Sequence, residues 1–234
     1  MKILALDTSA TVASVALCED ERLLAEYTLN NGNTHSETLL PMIEHLLSQF
    51  SMTAKDVDVF AASMGPGSFT GVRIGAATLK GLAFASGKPC VCVSTLEALA
   101  QNLCAFEGLI CPVMNARRSQ VYTALFRSDG KTLTRILPDD AIAISELDEK
   151  LSQYDEEIML CGDGYGITKA GFEKTHTKDT PDRLTHQSAS SVAVVALREF
   201  LGGNATDDVG AKVTYLRPSQ AERELMKKQS EKGE

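Results

Sequence analysis

The chain has 234 residues, 44% of them hydrophobic and 23% charged, enough for one large domain or two of about 100–120 residues each. A formal net charge of −8 opposes a primary nucleic-acid binder, because an acidic surface repels a phosphate backbone. No stretch approaches the ~20 apolar residues of a membrane span, and the opening MKILALDTS meets an acid at position 7, unlike a signal peptide, so a cytoplasmic protein without membrane contact is expected.

Residues 2–7, KILALD, read as a buried strand that ends on the polar turn Asp7-Thr8-Ser9. Strands at 12–18 and 23–29 follow across short polar links, which suits an antiparallel meander. After a polar loop, HSETLLPMIEHLLSQF (35–50) has a helical period in Leu39, Leu40, Met42, Ile43, Leu46, Leu47 and Phe50. Its apolar arc is wide, so the helix is either fully buried or faces a core on one side and a partner on the other. Pro41 fits best in a first turn. A strand at 57–63, a helix at 69–86, a strand at 89–94 and a helix from Thr95 to about Phe106 complete the first half.

The segment SMGPGSFTGVRIG (63–75) sits between strand and helix and invites a test as a phosphate cradle. A P-loop needs Lys followed by Ser or Thr after its last glycine; Gly71 is followed by Val72 and Arg73. A dinucleotide fingerprint needs G-x-G-x-x-G; Gly65, Gly67 and Gly71 are spaced one residue too long. What remains is a helix start whose free N–H groups can hold an anion, or a turn in which glycine relieves strain. Within the helix, glycine costs about 1 kcal/mol per residue. The compensation is close approach, either of a partner helix or of the lobe's own sheet.

The second half repeats the first. ICPVMNARRSQVYTALF from Ile110 matches ILALDTSATVASVALC from Ile3, with Asn115 against Asp7. Residues 133–143 read as a strand, 145–153 as a helix, 158–162 as a strand and 188–201 as a helix. The expectation is an α/β protein of two tandem lobes with mixed sheets: residues 1–107, then 108–217, with a charged tail at 218–234. CGDGYG (161–166) reads first as a turn after a strand, with an adenosine loop as the alternative.

Six cysteines (Cys18, Cys90, Cys92, Cys104, Cys111 and Cys161) form no C-x-x-C pair and suit reduced, buried thiols. His35, His45, His176 and His186 lack the spacing of helix-borne ligands, so no metal site is expected. No nucleophile–base pair supports a protease.

The strand-order repeat with Asp7 at its first hairpin resembles the actin-like ATPase (ASKHA) superfamily. Within it, ILALDTSATVASVAL, THSETLLPMIEHLL, MGPGSFTGVRIG, GLAFASGKP and NARRSQVYTALF together resemble the TsaB (YeaZ) family, over Met1 to about Arg217. That family supports synthesis of threonylcarbamoyladenosine in tRNA. The resemblance implies a non-catalytic scaffold that dimerises with TsaD, helps recruit TsaE, and pairs with itself when TsaD is absent. It touches tRNA only indirectly, with Arg117, Arg118 and Lys80 as a minor patch. The catalytic relative TsaD carries a His-x-x-x-His metal pair; those positions fall here at Thr95 and Leu99, and Leu99 has no donor atom.

The interface is expected from the helices at 35–50 and 69–86, on His35, Leu39, Met42, Ile43, Leu46, Gly71, Val72, Gly75, Ala76 and Leu79. For phosphate or nucleotide, the candidates are Asp7, Thr8, Ser9, Arg117 and Arg118. Each has a plainer role: Asp7 as a turn residue, the two arginines as surface charges. The family usually has Asp where this chain has Asn115, so the second turn lacks a carboxylate. No cofactor is expected; weak ATP or ADP binding, and a weak actin-like ATPase or phosphotransferase, stay as the alternative.

Overall fold

A computed structural model describes residues 1–217; the charged tail expected at 218–234 lies outside the described residues. The first half runs β1 (Lys2–Asp7), β2 (Ala13–Glu19), β3 (Arg22–Leu29), α1 (His35–Ser48), β4 (Val59–Ser63), α2 (Phe69–Ser86), β5 (Cys90–Val93) and α3 (Thr95–Gln101). The second runs β6 (Gly108–Asn115), β7 (Gln120–Ser128), β8 (Leu133–Ala143), α4 (Ile144–Leu151), β9 (Ile158–Cys161), α5 (Tyr165–Gly171), β10 (Thr177–Lys178) and α6 (Ala189–Leu201).

Each half makes a five-stranded mixed sheet, ordered β3-β2-β1-β4-β5 and β8-β7-β6-β9-β10. In both, the first three strands form an antiparallel meander and the last two join parallel to the first. The duplicated arrangement gives the two tandem α/β lobes with mixed sheets that the sequence repeat implies. Register places Asp7 opposite Ser14 at the end of one hairpin and Asn115 opposite Val121 at the end of the other.

The continuous apolar run of β1 has a direct cause: the strand is covered on both faces. Leu4 and Leu6 join the core under α1 and α2, while Ile3 and Ala5 join the core under α6. Gly87 closes α2 in the left-handed conformation at φ 65°, its N–H reaching the carbonyls of Ala83 and Phe84. Pro41 falls in the second turn of α1, not the first. It is exposed there, so the donor it lacks goes missing on the solvent side. The helix expected over 95–106 ends at Gln101, and residues 102–105 are turns.

The division at 107/108 separates the two sheets but not the two packed units. Helix α6 belongs by sequence to the second half, yet Val192, Ala193, Val195, Ala196 and Leu197 bury themselves against the back of the first sheet. Helix α3 does the reverse: Leu96, Leu99 and Ala100 pack with Ile110, Met114, Phe126 and Met159 on the second sheet. Each half lends a helix to the other, because a sheet covered on one face only would leave the other face in water. Glu26 of β3 fixes the start of α6, accepting hydrogen bonds from Ser188 Oγ, Ser190 N and Ser190 Oγ at 2.8–3.0 Å. Residues 206–214 also return to the first half, where Thr206 pairs with Cys90 at the edge of β5. Among the described residues, no helix is long and apolar enough to cross a membrane.

All six cysteines are free. Burial pushes the thiols of Cys18 and Cys90 up to about 11 and that of Cys111 up to about 12, so none of these three is poised as a nucleophile.

Candidate functional site

The glycine-rich loop after β4 closes over the β1–β2 turn. Ser68 caps α2, its hydroxyl accepting from Gly71 N at 3.2 Å, and Ser68 N donates to the Ser9 carbonyl at 2.7 Å. A Cβ on Gly71 would stand 2.0 Å from the Thr8 carbonyl oxygen, and one on Gly75 would stand 2.5 Å from Thr8 Oγ1. Thr8 Oγ1 donates to the Gly71 carbonyl at 2.8 Å. These two glycines let helix meet turn, and Gly67 does the same against Ser9. Of the two compensations open to the helix glycines, close approach within the lobe accounts for Gly71 and Gly75.

Asp7 is 1% exposed. Its Oδ1 accepts from Ser9 N at 2.8 Å and Ser9 Oγ at 2.7 Å, and its Oδ2 from Ser63 Oγ at 2.5 Å. Burial raises its pKa, against the opposing pull of those hydrogen bonds. Both carboxylate oxygens are committed inside the lobe.

Between the lobes lies a cleft of about 530 Å³. Ser9, Gly67, Ser68 and Phe69 line one wall; Asn115, Arg117, Tyr122 and Asp163 line the other; residues 214–217 cross its rim. Of the five expected phosphate contacts, Ser9 and Arg117 face this cleft, while Asp7, Thr8 and Arg118 do not line it. Arg117, Arg118 and Ser119 all take positive φ, at 63°, 55° and 55°. Asp163 was not foreseen as a site residue, although it stands within CGDGYG. It accepts from Asn115 N at 3.0 Å; the residue as a whole is exposed, yet desolvation of its carboxyl by the surrounding protein raises its pKa against the pull of that hydrogen bond. The same glycine-rich segment packs tightly: a Cβ on Gly162 would lie 2.2 Å from the Val113 carbonyl oxygen. Tyr215 and Arg217 were missed too; nothing in their irregular, non-periodic surroundings marks them.

The helix pair α1–α2 is the second candidate. Leu39, Met42, Ile43, Leu46, Val72, Ala76 and Leu79 are all buried in the first lobe's own core, and Gly71 and Gly75 are buried against the turn. These nine expected interface residues therefore face inward. The wide arc of α1 is divided between the sheet and the surface, and periodicity alone cannot assign the two sides. His35 is half-buried, with Nε2 donating to the Ala10 carbonyl at 2.7 Å. The outward faces carry Leu40 at 51% exposure and Phe84 at 77%, with Ala77 and Gly81 also exposed. A Cβ on Gly81 would meet nothing within 4 Å.

At the expected positions of a metal pair, Thr95 is fully buried and Leu99 is 1% exposed, packed with Met159 and Cys161 in the second lobe's core.

Comparison with known proteins agrees with this architecture. The family model described as "TsaD: tRNA N6-adenosine threonylcarbamoyltransferase" matches residues 22–225. The chain is 36% identical to the tRNA threonylcarbamoyladenosine biosynthesis protein TsaB of Bacillus subtilis (strain 168), covering 74% of this chain and 76% of that one. It is 28% identical to the TsaB protein of Escherichia coli (strain K12), over 96% of this chain and 98% of the relative. A crystal structure from Pseudomonas aeruginosa, described as an uncharacterized protein with similarity to peptidase YeaZ, superposes with a TM-score of 0.80. It shares 27% identity over 92% of this chain and 99% of that chain. The chain belongs to the TsaB (YeaZ) family.

Proposed function

We propose that this chain serves tRNA threonylcarbamoyladenosine biosynthesis in the cytoplasm as a non-catalytic scaffold. It docks on TsaD through the outer faces of α1 and α2, helps recruit TsaE, and pairs with itself when TsaD is absent. The observation that carries this reading is the outward stripe of the helix pair. Leu40 of α1 and Phe84 of α2 are large apolar side chains left in water, and the small, exposed Ala77 and Gly81 share the helical stripe of Phe84, which admits a second helix pair closely. The names of its relatives place them in this pathway. The buried Thr95 and Leu99, where TsaD would carry a histidine pair, favour a scaffold over a transferase.

In this reading no cofactor is needed and tRNA contact is indirect. Weak ATP or ADP binding, if the chain has it, falls in the interlobe cleft. An ATPase would want a carboxylate free for magnesium and phosphate, and Asp7 has both oxygens engaged by Ser9 and Ser63.

The test is sedimentation of the chain with TsaD from the same organism. Gly81→Arg introduces bulk where the monomer has open space, so it leaves the fold intact. Leu40→Asp places a charge in the same stripe. Loss of the wild-type complex by either variant, with unchanged circular dichroism, supports the docking face. A complex that survives both substitutions removes α1 and α2 as the contact.

A further inference from the structure

The last described stretch, residues 206–217, spans from one lobe to the other. It starts at the free edge of β5, where Thr206 and Cys90 exchange two backbone hydrogen bonds of 2.8 and 2.9 Å. Ala211, 1% exposed, sinks into the core under α1 and α2. Thr214 N donates to the Met64 carbonyl at 2.7 Å. The Thr214 carbonyl lies over Gly65, which has φ 108° and could carry no Cβ there, since one would stand 2.3 Å from that oxygen. Tyr215 then packs against Phe69 in a tilted pair, 4.8 Å between ring centroids, and its hydroxyl accepts from Arg73 Nε at 2.8 Å. The Arg73 guanidinium lies 3.7 Å over the Phe69 ring. Up to this point every contact is with the first lobe.

Arg217 changes side. Its guanidinium donates to the Ala116 carbonyl at 3.3 Å and to Gln120 Oε1, both on the β6–β7 hairpin of the second lobe. Among the described residues, these are the strap's only hydrogen bonds to that lobe. The turn that Arg217 holds is the one in which Arg117, Arg118 and Ser119 all adopt left-handed backbone. Such a turn persists where its surroundings hold it. Residues 214–217 form the rim of the cleft between the two walls.

We propose that residues 206–217 are an interlobe strap, clamped to α2 by Tyr215 and latched to the β6–β7 turn by Arg217, which sets how far the cleft opens. The strap is fixed to the first lobe by the backbone pairings of Thr206 and Thr214 and by the buried Ala211, and its hydrogen bonds to the second lobe come from one side chain. Releasing that side chain frees both cleft walls without disturbing either core. This inference does not depend on the scaffold reading.

The experiment is hydrogen exchange on the full-length chain, comparing wild type with Arg217→Ala and Gln120→Ala. The second variant removes the Gln120 Oε1 bond, one of the latch's two, from the other side and leaves the strap's own sequence unchanged. With the latch broken, amides of both cleft walls, residues 64–70 and 114–122, exchange roughly tenfold faster, while β1, β2 and α6 keep their protection. Trypsin cleavage after Arg117 and Arg118 accelerates in parallel, as their turn loses its support. Acceleration confined to 116–120 and 214–217 would show a local contact and overturn the proposal. Unchanged exchange in both variants would overturn it too.

Discussion

The two hairpin turns are copies, and they have been put to different use. At the first, Asp7 Oδ1 accepts from Ser9 N at 2.8 Å; at the second, Asn115 Oδ1 accepts from Arg117 N at 2.8 Å. The local job is the same, a side-chain oxygen closing a turn two residues on. An amide performs it as well as a carboxylate. What differs is the cover. The 18-residue helix α2 lies against the first turn through Gly71 and Gly75, and Asp7 is buried. Over the second turn, α5 has only 7 residues, and Asn115 stays exposed with Asp163 against its N–H. The polar residue at a strand end is therefore a turn former first. Whether it becomes a buried charge depends on how closely the next helix approaches.

The largest test of that comparison is Gly71→Ala. The added methyl would stand 2.0 Å from a backbone oxygen that cannot swing away, so α2 must lift off the turn. A loss of about 3 kcal/mol or more is expected in urea unfolding. The control in the other lobe is Gly166→Ala in α5, where nothing lies within 4 Å, and its effect should be under about 1 kcal/mol. Equal losses would mean that closeness at the first turn is not what sets its burial. Next in size is Asp7→Ala, which strands Ser9 N, Ser9 Oγ and Ser63 Oγ inside the lobe. About 3 kcal/mol is expected, against about 1 kcal/mol for Asn115→Ala at the water-exposed turn.

Two carboxylates sharpen the contrast through pH. Burial raises the pKa of Asp7. Its contribution is complete below the ordinary carboxylate range and is lost as pH rises through the higher folded value. Asp148 of α4 is the opposite case. Burial pushes its pKa up, but hydrogen bonds from the backbone of Glu173, Thr175 and Lys174 at 2.9–3.1 Å, with the help of the Thr175 side chain, outweigh that and hold it low. Its contribution is present above the ordinary range and is lost as pH falls through the lowered value. Unfolding curves between pH 3 and pH 7, the titration window of an ordinary carboxylate on either side of about 4, should therefore separate two variants. Relative to Asp7→Asn, the wild type loses ground as pH rises; relative to Asp148→Asn, it gains. The slope is bounded at about 1.4 kcal/mol per pH unit. Parallel slopes would contradict the assignment of the first lobe's acid as the desolvated one.

Much of this was legible in the chain. The order of strands and helices, the meander, and the pairing of Asp7 with Asn115 all follow from apolar runs and polar turns. The side of a helix was harder. Leu39, Met42 and Ile43 share one arc with Leu40, and only packing shows that the first three are inside while Leu40 is half in water. The exchange of α3 and α6 between halves was hidden, because an amphipathic helix carries no label for the sheet that it covers. The strap was hidden for a further reason. Thr214, Tyr215 and Arg217 act through single contacts in irregular chain, where no period exists to read. CGDGYG reads as a turn after a strand, and residues 162–164 do turn between β9 and α5, yet the role of Asp163 rests on a hydrogen bond from Asn115 N, distant in sequence on the same cleft wall.

The smallest effect separates the two kinds of glycine in α2. Gly71 and Gly75 are required by contacts within the lobe. Gly81 is not: it is exposed, in the helix interior, with open space where its side chain would be. In the isolated chain it only weakens the helix, so Gly81→Ala should stabilise the monomer by about 0.5–1 kcal/mol. Its use, on the docking reading, lies in letting a partner helix come close. The same variant should then bind TsaD more weakly while unfolding later in urea, two changes of opposite sign from one methyl group. Stabilisation with undiminished binding would leave Gly81 with neither an internal nor an external reason, and the contact would have to lie elsewhere on the lobe.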